Sequence, residues 1–320
     1  MTSRGARAAS RRRTVRRRRL IALGVLVLAA GAVVAVLGSL GGTTRSDPSK
    51  PAVVRLVLGG RTVASARADR LRRPPARSTF LAVLPAERTE HRGAATVRFQ
   101  LDREAAAAAV AHAARHGGGV VTVSEQPIAA RIRVPLIKQV LRDDCEATAL
   151  SMLMAYSGKP VGQLALQRQV AHSPPLDPTV AADGSEVWGD PEQGFVGRAD
   201  GGGPGGGYGV YQGPIRALAR RKGLTLRDLS GKSPDAVYGA LLHGHPVMAW
   251  VALSEGPFAS WSTLAGKHVT VNYGEHAVVL TGVDETVVHV NDPLSGTRLT
   301  WARPEFERMW KALGTRALAA

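Results

Sequence analysis

An uncharged apolar stretch near the N-terminus decides on which side of a membrane the rest of this chain can fold. Residues 20–40 contain no charged side chain, and a helix of that length is about 31 Å long, close to the hydrocarbon thickness of a bilayer. Residues 1–19 carry nine arginines and no acidic residue. Because arginine-rich flanks stay on the cytoplasmic side, the sequence predicts an N-terminus inside and residues 42–320 outside the cytoplasmic membrane.

Two interpretations of this segment are open. A signal anchor over 20–41 would stay in the membrane as a single-pass helix, whereas a cleaved signal peptide would release a secreted protein. The apolar region of a signal peptide usually runs ~7–15 residues, and this one is longer, so the anchor is favoured. In both cases the remainder of the chain is exported.

The charge balance argues against a nucleic-acid partner. The chain has 42 Lys and Arg against 25 Asp and Glu, but its first 50 residues hold eleven of those cations and one acid, a net charge of +10, so most of the excess lies in a tail.

The single cysteine, Cys145, excludes an intrachain disulfide framework, cysteine-rich zinc fingers and Cys-ligated iron–sulfur clusters. The sequence contains no complete phosphate-binding or metal-ligating motif, so we expect neither a cofactor nor a metal.

The exported part divides by composition and pattern. Residues 42–51 predict a linker, residues 52–127 a small α+β module of unknown role, and residues 128–320 a larger domain. Within the small module, Asp102 is placed to cap a run of alanines that stops at Gly117, which predicts a helix.

A long Gly- and Pro-rich insert interrupts the larger domain at residues 172–213. Loops of this length without secondary structure are uncommon and are either functional or disordered. Four aromatic residues lie in it: Trp188, Phe195, Tyr208 and Tyr211. If exposed they could hold an extended peptide, and if buried they would fix the insert to the core; the sequence leaves both interpretations open.

The lone cysteine lies at the predicted start of a largely buried helix. Asp144 is a favourable N-cap, apolar residues recur at helical spacing after Cys145, and Gly158 and Pro160 end the helix. The positive end of the helix dipole stabilises a thiolate there, which predicts a lowered pKa for the Cys145 thiol. Taken alone, Cys145 can also be read as a small core residue. Gln139, six residues earlier, is placed to donate its amide to a developing oxyanion, together with the backbone N–H of Cys145.

The candidate general base is His276, on a strand that is predicted to pair with the next one. A three-residue turn centred on Asp284 places His276 opposite Asp292, so that both side chains share one face as a His–carboxylate pair. A two-residue turn would instead place Asn291 opposite His276, and an amide can also orient a catalytic histidine. Whether Asn291 or Asp292 is the third member therefore stays open at this point.

Five stretches of the larger domain together resemble a known peptidase family. They are KQVLRDDCEATALSML, YGVYQGPIRALAR, HGHPVMAWV, GEHAVVLTGVD and VNDPLSG. Residues 136–320 are similar to the bacterial peptidases that remove double-glycine leaders from bacteriocin precursors, and more similar to the stand-alone branch of leader-peptidase-like proteins. The resemblance implies a papain-like α+β fold in which Cys145 is the nucleophile, His276 the base, Asp292 the orienting acid and Gln139 an oxyanion donor. Leader peptidases are fused to transporter domains, whereas this chain has one predicted span and no ATPase motif, so their substrate is not transferred.

The sequence thus predicts a membrane-anchored, extracytoplasmic cysteine peptidase or amide hydrolase with a Cys–His–Asp triad. Its fold is expected to be a papain-like α+β domain, preceded by one transmembrane helix and the small α+β segment. The expected partners are a peptide or protein substrate and the membrane, with no nucleic acid, and the oligomeric state is left open. Two alternatives use the same residues: a non-catalytic peptide-binding module, and an acyltransferase in which an amine captures the thioester.

Overall fold

The structure, a computed structural model, describes residues 51–320. The predicted basic tail over 1–19, the predicted membrane span over 20–41 and residues 42–50 of the predicted linker lie outside that range. Among the residues that are described, no helix is both long enough and apolar enough to span a bilayer.

The helices of the described part of the chain are numbered α1 to α8. They are Ala68–Leu71, Pro74–Leu81, Arg103–Arg115, Cys145–Tyr156, Gln163–Gln167, Gln212–Arg221, Pro234–Leu242 and Arg303–Ala312. Helix α3 begins as predicted, because the Asp102 side chain accepts a hydrogen bond from Ala105 N at 2.8 Å. Helix α4 is buried along its first ten residues, 145–154, so it is a core helix.

The strands of the same region are numbered β1 to β18. They are Val53–Leu58, Arg61–Arg67, Glu87–Arg92, Ala95–Leu101, Gly119–Thr122, Glu125–Ile132, Thr179–Val180, Glu186–Val187, Val196–Gly197, Gly207–Gly209, Arg227–Asp228, Val247–Ala252, Phe258–Ser262, His268–Asn272, Glu275–Val283, Val287–Asp292, Thr297–Ala302 and Ala317–Ala319. Strands β12 and β15 are buried on both faces over almost their whole length, which explains their continuous apolar sequences.

A nine-stranded sheet organises the molecule. Its strands follow the order β11–β18–β12–β15–β6–β4–β3, and β16 and β17 extend from β15 as a branch. Neighbouring strands in this sheet run antiparallel. Helix α4 packs on β15 at the centre of the sheet. The predicted mixed α+β architecture is therefore confirmed.

The strands of the segment over 52–127 are shared between two sheets. Strands β1, β2 and β5 form a separate three-stranded sheet, on which α3 packs to bury a hydrophobic cluster of its own. Strands β3 and β4 instead belong to the nine-stranded sheet, because β4 pairs with β6 along its whole length. The boundaries of the small module stay a prediction.

Candidate active site

Cys145 is the first residue of helix α4, as predicted. Its N-cap is Asp144, whose Oδ1 accepts a hydrogen bond from Leu141 N at 3.2 Å rather than from the helix. The side chain of Cys145 is 5 % exposed, and its Sγ accepts a hydrogen bond from Ala277 N at 3.4 Å. This bond ties the start of α4 to β15, one residue beyond His276.

His276 and Asp292 form a buried pair on neighbouring strands. His276 lies at the start of β15 and Asp292 at the end of β16, and His276 Nε2 donates to Asp292 Oδ1 at 2.6 Å. Asp292 also accepts from Leu294 N at 3.0 Å and from the Ser295 hydroxyl at 2.6 Å. Although burial raises the pKa of Asp292, the hydrogen bonds from His276 and Ser295 hold it well below its usual range, so this carboxyl is ionised. Nε2 is thus committed to Asp292, which leaves Nδ1 of the ring as the atom for a substrate or thiol proton.

Both predicted strand registers are wrong, although His276 and Asp292, which the favoured register paired, do meet. In the structure Leu280 faces Val290 and Val279 faces Asn291, two residues away from the favoured prediction. Four residues, 284–287, separate Val283 from its partner Val288, and a bulge at Thr281 inserts one more residue into β15. Because side chains alternate with a period of two, a shift by two residues leaves His276 and Asp292 on a common face.

Asn291, the alternative third member, points elsewhere. Its Nδ2 donates to Val134 O at 3.2 Å and to Pro135 O at 3.3 Å. These bonds attach β16 to the chain that leaves β6. The structure therefore brings Asp292, and not Asn291, to His276.

The expected lowering of the Cys145 pKa is wrong. Burial raises the pKa of the thiol well above its ordinary value, and the carboxyl groups of Glu146 and Glu275 raise it further. Sγ donates a hydrogen bond to Glu146 Oε2 at 3.4 Å, and no hydrogen bond within residues 51–320 joins it to His276. The helix dipole is outweighed because the thiol is out of water and beside two acids.

Gln139 anchors the loop that precedes Cys145. Its Nε2 donates to Leu141 O at 3.1 Å and to Arg142 O at 2.8 Å, and its backbone N donates to Pro293 O at 2.9 Å. Both amide hydrogens are therefore engaged by backbone carbonyls in this state. Its role as an oxyanion donor stays a prediction that requires a rotation of the side chain.

Two carboxyl groups at the site were missed by sequence reasoning. Oxygen atoms of Glu146 and Glu275 and the sulfur of Cys145 all lie within 4.8 Å of one another. Glu275 alternates with His276 along β15, which predicts that the two side chains lie on opposite faces, but α4 brings Cys145 close to Glu275 as well. Glu146 could have been recognised from the sequence, because it is an acidic residue at the start of an otherwise apolar helical run.

These three groups are close enough together to bind a divalent cation. However, Sγ already accepts from Ala277 N, and Glu146 Oε1 accepts from Val210 N at 2.6 Å. Backbone donors and the thiol–carboxyl bond account for the positions of Cys145 and Glu146, so we assign no metal site to the cluster.

The aromatic residues of the glycine-rich insert are buried. Trp188 and Phe195 are 0 % exposed, and the hydroxyls of Tyr208 and Tyr211 are hydrogen-bonded at 2.7 Å. Trp250 on β12 also donates to Val210 O at 3.0 Å. The insert is thus fixed to the core beside the cysteine, which favours the second of the two interpretations of its aromatic residues.

Comparison with known proteins matches most of the larger domain. A family model described as the Peptidase_C39 like family matches residues 131–318. The Bacillus subtilis (strain 168) protein YvpB, which is described as uncharacterized, is 37% identical over 182 residues, covering 56% of this chain and 69% of its own. The crystal structure of a protein described as a C39-like peptidase from Bacillus anthracis is 32% identical, with a TM-score of 0.50 over 58% of this chain and 94% of its own. A double glycine motif protease from an AMS/PCAT transporter, solved in complex with the leader peptide, is 18% identical with a TM-score of 0.34 over 59% of this chain and 91% of its own.

Proposed function

The chain belongs to the Peptidase_C39 like family, and on that premise we propose that it is a membrane-anchored, extracytoplasmic cysteine peptidase with a Cys145–His276–Asp292 triad. The main support for the triad is the buried His276–Asp292 pair. It lies directly beside Ala277, whose backbone N–H donates to Cys145 Sγ. Nucleophile, base and orienting acid then come from the start of α4, the start of β15 and the end of β16. The proposed anchoring and export rest on the sequence of residues 1–40 alone.

The proposed reaction is acyl transfer through Cys145. With Nε2 held by Asp292, Nδ1 of His276 takes the thiol proton, and the thiolate attacks the scissile carbonyl carbon. The proton returns to the leaving amine as the carbon–nitrogen bond breaks, which leaves a thioester on Cys145. Water, deprotonated by His276, then hydrolyses the thioester and restores the thiol. The negative charge of Asp292 stabilises the imidazolium in both halves of the cycle.

A peptide library tests this proposal. The full chain in detergent is incubated with a mixture of synthetic peptides, and mass spectrometry identifies the new termini. We expect the wild-type chain to produce them and Cys145→Ala and His276→Ala to produce none. His289→Ala is the matched control, because His289 is also a strand histidine near a carboxylate, but it is half-buried and contacts Thr300 and Asp284 instead. Termini from Cys145→Ala would contradict the proposal.

The proposed topology has its own test. An epitope at the C-terminus is exposed to added protease in intact cells if the domain is extracytoplasmic, and in inverted membrane vesicles if it is cytoplasmic. We expect degradation in intact cells only, and release into the medium if the N-terminal segment is cleaved.

One observation favours a second candidate, a peptide-binding module without turnover. The Cys145 thiol is buried and hydrogen-bonded to Glu146, not to His276. A module of this kind would bind library peptides without cutting them, and Cys145→Ala would bind them equally well.

A further inference from the structure

The side chain of Glu146 connects the candidate nucleophile to the glycine-rich insert. Its Oε2 accepts a hydrogen bond from Cys145 Sγ at 3.4 Å, and its Oε1 accepts one from Val210 N at 2.6 Å. Glu146 is 1 % exposed. One buried carboxyl group thus joins the start of α4 to the end of the insert.

The backbone of the insert is shaped around this carboxyl group. Gly209 has a φ of +126°, and a Cβ added there would lie 2.5 Å from Glu146 Oε1 and 3.3 Å from Glu275 Oε2. Only a glycine allows the chain to pass between these two side chains. The position of the Glu146 carboxyl is therefore set by backbone on one side and by the thiol on the other.

The surroundings of the thiol are predominantly acidic. Glu275 faces Glu146 from β15, and its Oε1 is buried without a hydrogen-bond partner among residues 51–320. The other titratable or charged groups that face the two carboxyls are Asp143 ahead of α4, Tyr208 and Tyr211 on the insert, and Arg316 ahead of β18. Arg316 is partly neutralised by Glu192, whose Oε1 lies 2.6 Å from its Nη2.

A helix N-terminus beside two buried acids does not readily accommodate a further anion. Burial raises the pKa of Glu146 to about 7, so its carboxylate is present at and above neutral pH. An ionised Glu146 occupies the positive end of the helix dipole and disfavours a second negative charge on the adjacent sulfur. The thiol proton is instead shared with Glu146 Oε2.

We propose that Glu146 is a positioning residue that holds the resting Cys145 thiol protonated and hydrogen-bonded to its own carboxylate. The inference rests on the proposed function, because a positioning role presupposes that Cys145 reacts. Glu146 is then a fourth residue of the site, which controls the protonation of the Cys145 sulfur and takes no part in cutting the peptide bond.

The test is alkylation of Cys145 by iodoacetamide as a function of pH, in the full chain. Since Cys145 is the single cysteine of the chain, every alkylated product reports on it. In the wild type we expect slow alkylation at pH 7 and a midpoint above the ordinary thiol value of about 8.5. Glu146→Gln keeps an oxygen for Val210 N but removes the charge, so alkylation at pH 7 should rise at least about tenfold and the midpoint fall by about one pH unit or more.

A matched control separates the local charge from a general effect. Glu307 is a half-buried glutamate far along the chain from Cys145, and its carboxylate accepts a hydrogen bond at 2.9 Å from the hydroxyl of Tyr238 on α7. Glu307→Gln should leave the alkylation profile of Cys145 unchanged.

Two results would overturn the proposal. The first is fast alkylation of the wild-type chain at pH 7 with an alkylation midpoint below pH 8.5, and this result overturns the proposal even if Glu146→Gln fails to fold. An unchanged or slower rate in folded Glu146→Gln also does so, and a slower rate would make Glu146 the proton acceptor of the thiol. Alkylation needs no turnover, so a failed peptide-cleavage assay and a failed alkylation prediction are separate results.

Discussion

Replacing Asp292 by Asn tests the geometry of the histidine pair more sharply than deleting the side chain. Asp292 accepts hydrogen bonds from His276 Nε2 at 2.6 Å, Leu294 N at 3.0 Å, and the Ser295 hydroxyl and backbone N at 2.6 and 3.2 Å. An Asn offers one oxygen and one amide nitrogen, so it cannot accept on both sides. With the nitrogen towards His276, the ring must accept at Nε2 and carry its proton on Nδ1, where it can no longer act as a base. With the oxygen towards His276, the amide nitrogen faces the backbone N–H of Ser295, and because both groups are donors that hydrogen bond is lost.

The magnitude follows from the bond that is lost. A hydrogen bond to a charged group contributes about 1.5–3 kcal/mol, which corresponds to about a 10- to 150-fold loss of kcat/KM. The assay is hydrolysis of a peptide that the wild-type chain cuts in the library experiment. We expect Asp292→Asn to fall within that interval and to retain measurable turnover, unlike Cys145→Ala.

The adjacent residue supplies the control. Asn291→Ala removes two hydrogen bonds to backbone carbonyls, so the free energy of unfolding should fall by about 1–3 kcal/mol while the folded protein keeps its turnover. Wild-type turnover in Asp292→Asn, or a loss in folded Asn291→Ala as large as in Asp292→Asn, would refute the assignment of Asp292 as the orienting acid.

Two further predictions concern stability. Gly209→Ala should lower the free energy of unfolding by about 2–4 kcal/mol in urea titrations, because the position has a φ of +126° and the added Cβ would lie 2.5 Å from Glu146 Oε1. Gly205→Ala is the control and should lower it less, because Gly205 has a φ of +80° but open space around it. Equal losses in the two variants would show that the contact with Glu146 is unimportant. Burial raises the pKa of Glu146 from 4.5 to about 7, so this group binds more protons in the native than in the unfolded chain between these values. Its contribution to the free energy of unfolding should therefore fall by about 3 kcal/mol as pH rises through this window in urea titrations. Glu146→Gln should show a fall that is smaller by about that amount, since burial also raises the pKa of Glu275, which still contributes.

The sequence predicts what depends on local patterns. The start of α4 at Cys145 and its end near Gly158 follow from the N-cap position of Asp144, the apolar run after Cys145 and the glycine, although the Asp144 side chain makes no capping hydrogen bond. The common face of His276 and Asp292 follows from the period of two, even though the predicted turn was too short and the bulge at Thr281 was not foreseen.

What the sequence does not predict depends on how elements dock. The contact of Cys145 with Glu275 exists because α4 packs across β15, and no spacing within either segment specifies this. The sign of the Cys145 pKa shift was wrong for the same reason, since the helix dipole is local but burial and the second acid are not. Similarly, the alternating pattern of β4 predicts a strand without showing which sheet it joins.

The most direct test of the central claim is a double-variant cycle on peptide hydrolysis. Residues that act as one catalytic unit show losses that do not add, because the second removal finds nothing left to disable. Rates are measured for Cys145→Ala, His276→Ala and the double variant on one peptide that the wild-type chain cuts. We expect the rate to fall about a thousandfold or more in each single variant, and to fall no further in the double variant than in Cys145→Ala. A substantial rate in Cys145→Ala, or losses in the two single variants that multiply in the double variant, would contradict the claim.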